Sequence, residues 1–298
     1  MSNELVEKGT ELVKKGSELV EKTKSAIFNA MDENGDGKVD LEDVIIKGLK
    51  IPTIKINRDE FLQKELFKHF PQEVIDIAIA QSPMKANIPL EQINNIADEV
   101  IKYERYCVSG ISAALGTAGG VAALATIPMD IAQYYGYMLR ATQKLLYLYG
   151  FPAIDLEEKG SQIDSATMNI LILCFGVMNG VANANVAIRS MAKALAVGVE
   201  KQLLKKALTK GTIYPIVKSV SKWFGVKMTK QAFAGFFKKA IPIVGGIIGG
   251  SLTFLSFKPC CDKLKETLQN TILSNPNYNA IPDEEIIIDD VEVEVVEE

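Results

Sequence analysis

The chain has 298 residues, of which 48% are hydrophobic, and carries 33 Lys and Arg against 37 Asp and Glu. This composition excludes a disordered chain, which needs low hydrophobicity, and a net charge of −4 argues against general nucleic-acid binding. A single His excludes most zinc sites and most Ser-His or Cys-His catalysis. The four Cys form no CxxC pair and the N-terminus lacks an apolar signal segment, so we expect reduced thiols in a cytoplasmic protein.

An N-terminal helix is predicted over residues 1–30. Residues 4–24 repeat every seven positions, as ELVEKGT, ELVKKGS and ELVEKTK, and on a helix their Leu and Val residues form one apolar stripe. Gly9 and Gly16 fall within this stripe, and each glycine costs a helix up to about 1 kcal/mol. The helix therefore needs a surface to lie on, which is either its own protein or a coiled-coil partner, or a membrane.

Residues 32–43, DENGDGKVDLED, fit the calcium-binding loop of an EF-hand. Gly37 stands at the sixth position, where the sharp turn needs a left-handed backbone. The predicted ligands are Asp32, Asn34, Asp36, the backbone carbonyl of Lys38, Asp40 and Asp43. Because Asp43 is shorter than the usual Glu at the last position, we expect weaker calcium binding or tolerance of magnesium. The alternative is an acidic turn that binds no metal.

The remaining pattern predicts an all-α fold. We assign residues 31–56 to the loop, an exit helix and an extended linker, residues 57–275 to a helical bundle with Gly-rich core helices, and residues 276–298 to an acidic tail. Within the bundle, apolar residues recur at helical spacing over residues 58–81, with a break at Pro71. Leu90–Tyr106 reads as a second amphipathic helix.

Three long runs carry no charged residue. Residues 107–129, 165–188 and 240–257 contain 23, 24 and 18 residues, respectively. Their lengths approach the roughly 20 residues that a membrane span requires, but their many Gly, Asn and Pro residues are unusual for simple spans. The runs therefore fit either buried core helices or membrane-inserted hairpins and spans, because small residues allow close helix packing in both settings.

Positive charge is concentrated in residues 201–239, which carry ten Lys and no Asp or Glu. Aromatic residues are interleaved with these lysines, so the stretch predicts a surface for anionic lipid. The residues assigned to this surface are Lys218, Lys222, Trp223, Phe224, Lys227, Lys230, Lys238 and Lys239. The alternative is a basic helix pair whose aromatic residues lie in the core. The nine acidic residues of 283–298 could cover the lysines.

A polar stripe is predicted on one helix face, because polar residues recur there every three or four positions. Its members are Asp130, Gln133, Tyr137, Arg140, Lys144 and Tyr147. The stripe is either an ordinary solvated face or the lining of a groove or lipid-headgroup site. A carboxylate cluster of Glu99, Glu104 and Asp130 would instead support an enzyme.

The chain resembles the EcsC family. The resemblance is carried by residues 116–152, GTAGGVAALATIPMDIAQYYGYMLRATQKLLYLYGFP, and residues 240–254, AIPIVGGIIGGSLTF. The matching positions of the family pattern are Pro128, Asp130, Arg140, Gln143, Lys144, Tyr149, Gly150 and Pro152. The resemblance spans residues 58–270 and implies a bacterial-type helical domain, with no established reaction. The heptads, the calcium loop and the acidic tail are additions outside that shared region.

These observations favour a non-enzymatic, calcium-binding protein that associates peripherally with the inner face of an anionic membrane, as a scaffold or regulator. One alternative is an interaction module that binds a transporter or copies of itself. A second is an enzyme with a pocket around Asp130 and Arg140, although no nucleophile–base pair or phosphate loop supports it. Nucleic-acid binding through the lysines is the least favoured, since it would rest on charge alone.

Overall fold

The computed structural model describes residues 41–50, 53–116, 121–154, 165–196, 213–227, 247–275 and 277–278. Most of these residues are helical and none of them forms a strand, which confirms the all-α prediction. The described helices are α1 (Leu41–Lys50), α2 (Arg58–Leu66), α3 (Gln72–Ala80), α4 (Leu90–Gly116), α5 (Val121–Leu148), α6 (Ser165–Asn179), α7 (Ala184–Ala196), α8 (Tyr214–Lys227) and α9 (Ile247–Gln269). The predicted N-terminal helix and most of the acidic tail lie outside the described residues.

Local sequence signals account for the boundaries of α2 and α3. The side chain of Asn57 accepts hydrogen bonds from the backbone N–H groups of Asp59, at 3.0 Å, and Glu60, at 3.1 Å, so it caps α2. Both residues are acidic, which suits the positive end of the helix dipole. Pro71 stands immediately before α3 and separates it from α2, as the break in the periodicity predicts.

The core forms where α4, α5, α6 and α9 pack together. α4 and α5 pack antiparallel, since Tyr149 contacts Asn94 while Arg140 contacts Glu104. α9 packs along α4 and also contacts α5 and α6, and α1 lies on α5 and α6. Leu171, Ile172, Leu173 and Phe175 are all fully buried, so the uncharged run 165–188 contributes core rather than lipid-facing surface. Within the described helices, none combines the length and apolar composition that a bilayer crossing requires.

Two glycines end helices by the same mechanism. At the end of α5, Gly150 has a φ of +85°, and the N–H of Phe151 donates to the carbonyl of Leu146 at 2.9 Å. At the end of α6, Gly180 has a φ of +73°, and the N–H of Val181 donates to the carbonyl of Gly176 at 2.9 Å. Both are Schellman motifs, in which a left-handed residue satisfies the last helical carbonyls.

Helices α6 and α8 approach closely at Gly176. A Cβ atom at this position would lie 2.6 Å from one methyl group of Val220 and 3.1 Å from the Cβ of Ala184. Val220 is itself fully buried, so its side chain has little room to move away.

We expect Gly176→Ala to lower the free energy of unfolding by about 2 kcal/mol, because the added methyl group overpacks this crossing. Urea denaturation followed by circular dichroism measures the effect. The control is the double variant Gly176→Ala with Val220→Ala, which should be more stable than the sum of the two single effects predicts. Strict additivity would show that the two side chains do not compete for this space.

Candidate functional site

Glu104 is a carboxylate on the core-facing stripe of α4. Apolar residues on this stripe recur every three or four positions and are buried; they are Ile93, Ile96, Ala97, Val100, Ile101 and Val108. Glu104 falls between the last two of these and has no exposed surface. An ionised carboxylate is stable at such a depth only with close partners of opposite charge.

Two cations from α5 supply that compensation. The guanidinium of Arg140 donates through Nε to Oε2 of Glu104 at 2.9 Å and through Nη2 to Oε1 at 3.2 Å. The ammonium of Lys144 donates to the same Oε1 at 2.5 Å. The side chains of Arg140 and Lys144 are only 18% and 9% exposed. With one carboxylate and two cations, this Glu104 cluster carries a net charge of +1.

Aromatic rings surround the two cations. The Lys144 ammonium lies 5.5 Å from the ring centre of Phe61 and 5.6 Å from that of Tyr103, and the Arg140 guanidinium lies 5.6 Å from that of Tyr137. The ring faces are electron-rich, so they stabilise the excess positive charge that a single carboxylate does not balance.

The ionisation states follow from this environment. Burial by itself lowers the pKa of Arg140, but its hydrogen bond to Glu104 and the charge of that carboxylate raise the pKa above its ordinary value. Burial raises the pKa of Tyr137, and the neighbouring Cys107 adds to the increase. A hydrogen bond with Cys107, followed by the charges of Cys107 and Glu104, raises the pKa of Tyr103. Arg140 is therefore a permanent cation beside the neutral phenols of Tyr103 and Tyr137.

Next to the cluster, Gln143 holds the linker that follows α1. Its Oε1 accepts a hydrogen bond from the backbone N–H of Ile56 at 3.0 Å, and its Nε2 donates to the carbonyl of Ile54 at 3.0 Å. Gln143 is only 1% exposed. The hydroxyl of Tyr147, one turn further along α5, donates to the carbonyl of Ile56 at 3.4 Å. The linker is thereby fixed to the helix that carries Arg140 and Lys144.

Helix α1 is the exit helix predicted after the calcium loop, and it is part of the core. Leu41, Ile45 and Leu49 recur at helical spacing and are all buried. Asp43, the last predicted ligand, lies in the first turn and has no exposed surface. The end of the predicted loop is therefore joined rigidly to the core, rather than held on a free arm.

The other predicted metal ligands, Asp32 to Asp40, lie outside the described residues, so the calcium site stays a prediction. Among the residues that the structure does describe, no group of three or more His, Cys, Asp or Glu side chains could hold a metal ion. A metal ion bound at Asp43 would therefore need its other ligands from the preceding residues of the same loop, as the EF-hand pattern requires.

The predicted polar stripe does not behave as a solvated face. Arg140 and Lys144 turn inward onto Glu104, and Tyr147 is 1% exposed. Tyr137 and Gln133 are half-buried. The backbone of Asp130 lies in α5, but the structure does not describe its side chain.

The carboxylate cluster proposed for an enzyme is incorrect in one respect. Glu99 is exposed on α4, whereas Glu104 is buried five residues later. A five-residue separation turns a side chain by about 140° around the helix axis, so the two carboxylates point in different directions. Glu104 is instead neutralised by cations from α5.

The structure describes only some side chains of the predicted lysine surface, and one of them is buried. Lys218 and Lys222 are exposed on α8, and Trp223 is half-buried. Phe224 is fully buried and its ring lies 6.2 Å from that of Phe175, so it is a core residue and not part of a surface. The backbone of Lys227 ends α8, and the structure does not describe its side chain. Lys230, Lys238 and Lys239 lie outside the described residues.

Sequence analysis missed the contact of Gln143 with the linker. The clue to Glu104 was present, since an acidic residue interrupts an otherwise apolar stripe. Comparison with known proteins does not add to this picture, because no family model, curated protein or solved structure matches the chain.

Proposed function

We propose that this chain is a non-enzymatic, calcium-binding protein, similar to the EcsC family, that associates peripherally with a membrane and acts there as a scaffold or regulator. The observation that carries the calcium part is the burial of α1. The loop pattern of residues 32–43 ends inside this helix, whose apolar face packs on α5 and α6. An ion that orders the loop would therefore also stabilise the first helix of the core.

A chain of contacts connects the predicted calcium loop to the centre of the bundle. α1 leads directly into the linker that Gln143 holds, and Gln143 neighbours Lys144 on α5. Calcium that orders the loop would strengthen the seating of α1 and of the linker against α5. In this proposal calcium acts by stabilising a packed surface, which is the role expected of an EF-hand loop that has no second loop beside it in the sequence.

The geometry of the Glu104 cluster supports a structural role more than catalysis. Both cations already donate to Glu104, and Lys144 is also enclosed by aromatic rings. Membrane association is supported by the exposed Lys218 and Lys222, which belong to a stretch of ten lysines without an acidic residue.

Calcium binding is tested by isothermal titration and thermal unfolding of the full chain, with magnesium titrated in parallel. We expect a dissociation constant of roughly 10⁻⁵ to 10⁻⁴ M for calcium. Saturating calcium should raise the unfolding midpoint by about 5 °C or more, because a ligand at 100 times its dissociation constant adds about 2.7 kcal/mol of stability.

The variant Asp32→Ala with Asp36→Ala should lose both the binding heat and the calcium-dependent midpoint shift. Its matched control is Glu73→Ala with Glu91→Ala, which removes two exposed carboxylates from α3 and α4 and should keep both. An unchanged titration for the loop variant would refute the calcium site. Binding without a change in the unfolding midpoint would refute its coupling to the core.

A further inference from the structure

Three uncharged helix ends lie together at one end of the bundle. α4 and α9 run antiparallel, since Asp98 pairs with Lys265 at 2.6 Å while the rings of Tyr106 and Phe254 meet at 5.6 Å. The rings of Tyr134 on α5 and Phe257 on α9 lie 6.1 Å apart. Beyond this level, α4, α5 and α9 all continue toward the same end.

Charged residues are absent from these continuations. No Asp, Glu, Lys or Arg occurs in residues 107–116 of α4, 121–129 of α5 or 247–257 of α9. Ten helical residues extend about 15 Å, which is about half of the roughly 30 Å hydrocarbon thickness of a bilayer. The three ends, which we call the uncharged tip, are long enough to enter one leaflet but too short to span both.

Aromatic, aliphatic and basic residues of α4 and α9 lie at the base of this tip, and four of the six are exposed. Tyr103 is 60% exposed, Tyr106 is 55% exposed and Leu255 is 70% exposed. The guanidinium of Arg105 stacks on the ring of Phe254 at 3.8 Å, and Lys102 is exposed one turn below Tyr106. We refer to these six residues as the collar. Tyr rings together with Arg and Lys are typical of the level at which a protein meets lipid headgroups.

The face of α4 that leads from the collar to the tip is exposed in the part of the chain that the structure describes. Tyr103, Tyr106 and Gly110 are spaced at three and four residues, so they share one face of α4. Among the described residues, no atom lies within 4 Å of a Cβ placed at Gly110. Large apolar side chains exposed on such a face signal a partner, and the uncharged length and basic collar fit a lipid surface best.

From this placement we infer that the uncharged tip inserts into one leaflet of an anionic membrane, with the collar at the headgroups. This inference rests on the proposed membrane association, but it assigns the inserted surface to the uncharged tip and not to the lysines of α8. The tip supplies the buried apolar area, while Lys102 and Arg105 meet anionic headgroups. The exposed lysines of α8 then contribute attraction at longer range without entering the bilayer.

The experiment is vesicle flotation of the full chain at 1 mM calcium, using phosphatidylcholine vesicles with and without 30% phosphatidylserine. We expect binding to the anionic vesicles. The variant Tyr106→Glu with Leu255→Glu should bind them about tenfold more weakly, since it places two charges at the headgroup boundary. The matched variant Phe67→Glu with Ile77→Glu introduces as many carboxylates at two exposed apolar positions outside the collar and should bind as well as the wild-type chain. Both pairs are exposed, so circular dichroism should show unchanged helix content.

A second readout reports insertion directly. Tyr106→Trp in a Trp223→Phe background places a single tryptophan in the collar, and lipids brominated along their acyl chains should quench its fluorescence. If the collar variant binds as well as its matched control, or if the tryptophan is not quenched in bound protein, the tip inference is wrong although membrane association stands. If the wild-type chain floats with neither vesicle, the proposed membrane association fails as well. A wild-type dimer that the collar variant converts to a monomer, with vesicle binding intact, would assign the surface to a second copy and overturn the inference.

Discussion

Glu104→Gln is expected to lower the free energy of unfolding by about 3 kcal/mol or more, because it leaves two buried cations without their counter-charge. Arg140 and Lys144 would then face each other across a neutral amide at a site where water cannot solvate them well. The rings of Phe61 and Tyr103 would compensate only part of this loss. Urea denaturation monitored by circular dichroism measures the difference.

The chain offers a matched control in Glu99→Gln. This change is chemically identical and lies on the same helix, but its side chain is exposed, so it should alter stability by less than about 0.5 kcal/mol. A triple variant with Met in place of Glu104, Arg140 and Lys144 should recover much of the lost stability, since removing all the charges also removes their desolvation cost. Equal effects of the two Glu→Gln variants would mean that the Glu104 cluster does not stabilise the fold.

Gly150→Ala is expected to lower the free energy of unfolding by about 3 kcal/mol, for two reasons that add. A left-handed backbone costs an L-residue about 1–2 kcal/mol, and the φ of Gly150 is +85°. The new Cβ would also lie 2.8 Å from the carbonyl oxygen of Leu273, which belongs to the backbone and cannot easily move aside. Thermal and urea unfolding both report the change.

Gly180→Ala separates these two reasons. Gly180 has a similar φ of +73° and ends α6 with the same motif, but the nearest atom to an added Cβ is the flexible end of Lys263, at 3.3 Å. The free energy of unfolding of this variant should therefore fall only by the cost of the left-handed backbone, about 1 kcal/mol. Losses of the same size at both glycines would show that contact with Leu273 contributes nothing.

The helical elements could be predicted because their signals are local. The apolar spacing in residues 90–106, Pro71 before α3 and the composition of residues 58–66 each act within a few turns. The predicted helix from Leu90 to Tyr106 was too short. The helix α4 continues through an uncharged stretch and ends at Gly116. The buried position of Phe224 also had a local clue, because Ile213, Val217 and Val220 precede it at helical spacing.

The candidate site could be predicted only in part. Arg140 and Lys144 were identified as members of one helix face, but their common partner Glu104 lies 36 and 40 residues earlier. Gln143 holds a linker nearly 90 residues away. No periodicity connects such distant positions, so their pairing depends on how the helices assemble.

By itself, the sequence determined the helical class, most helix positions and the pattern of the calcium loop, because hydrophobic spacing and ligand spacing are properties of adjacent turns. Only the tertiary structure decided that Glu104 neutralises two cations, that α1 is part of the core and that three uncharged helix ends share one end of the bundle. The physical reason is that a buried charge or an apolar end is defined by what surrounds it. Those surroundings come from segments far apart in the chain, and helix packing brings them together.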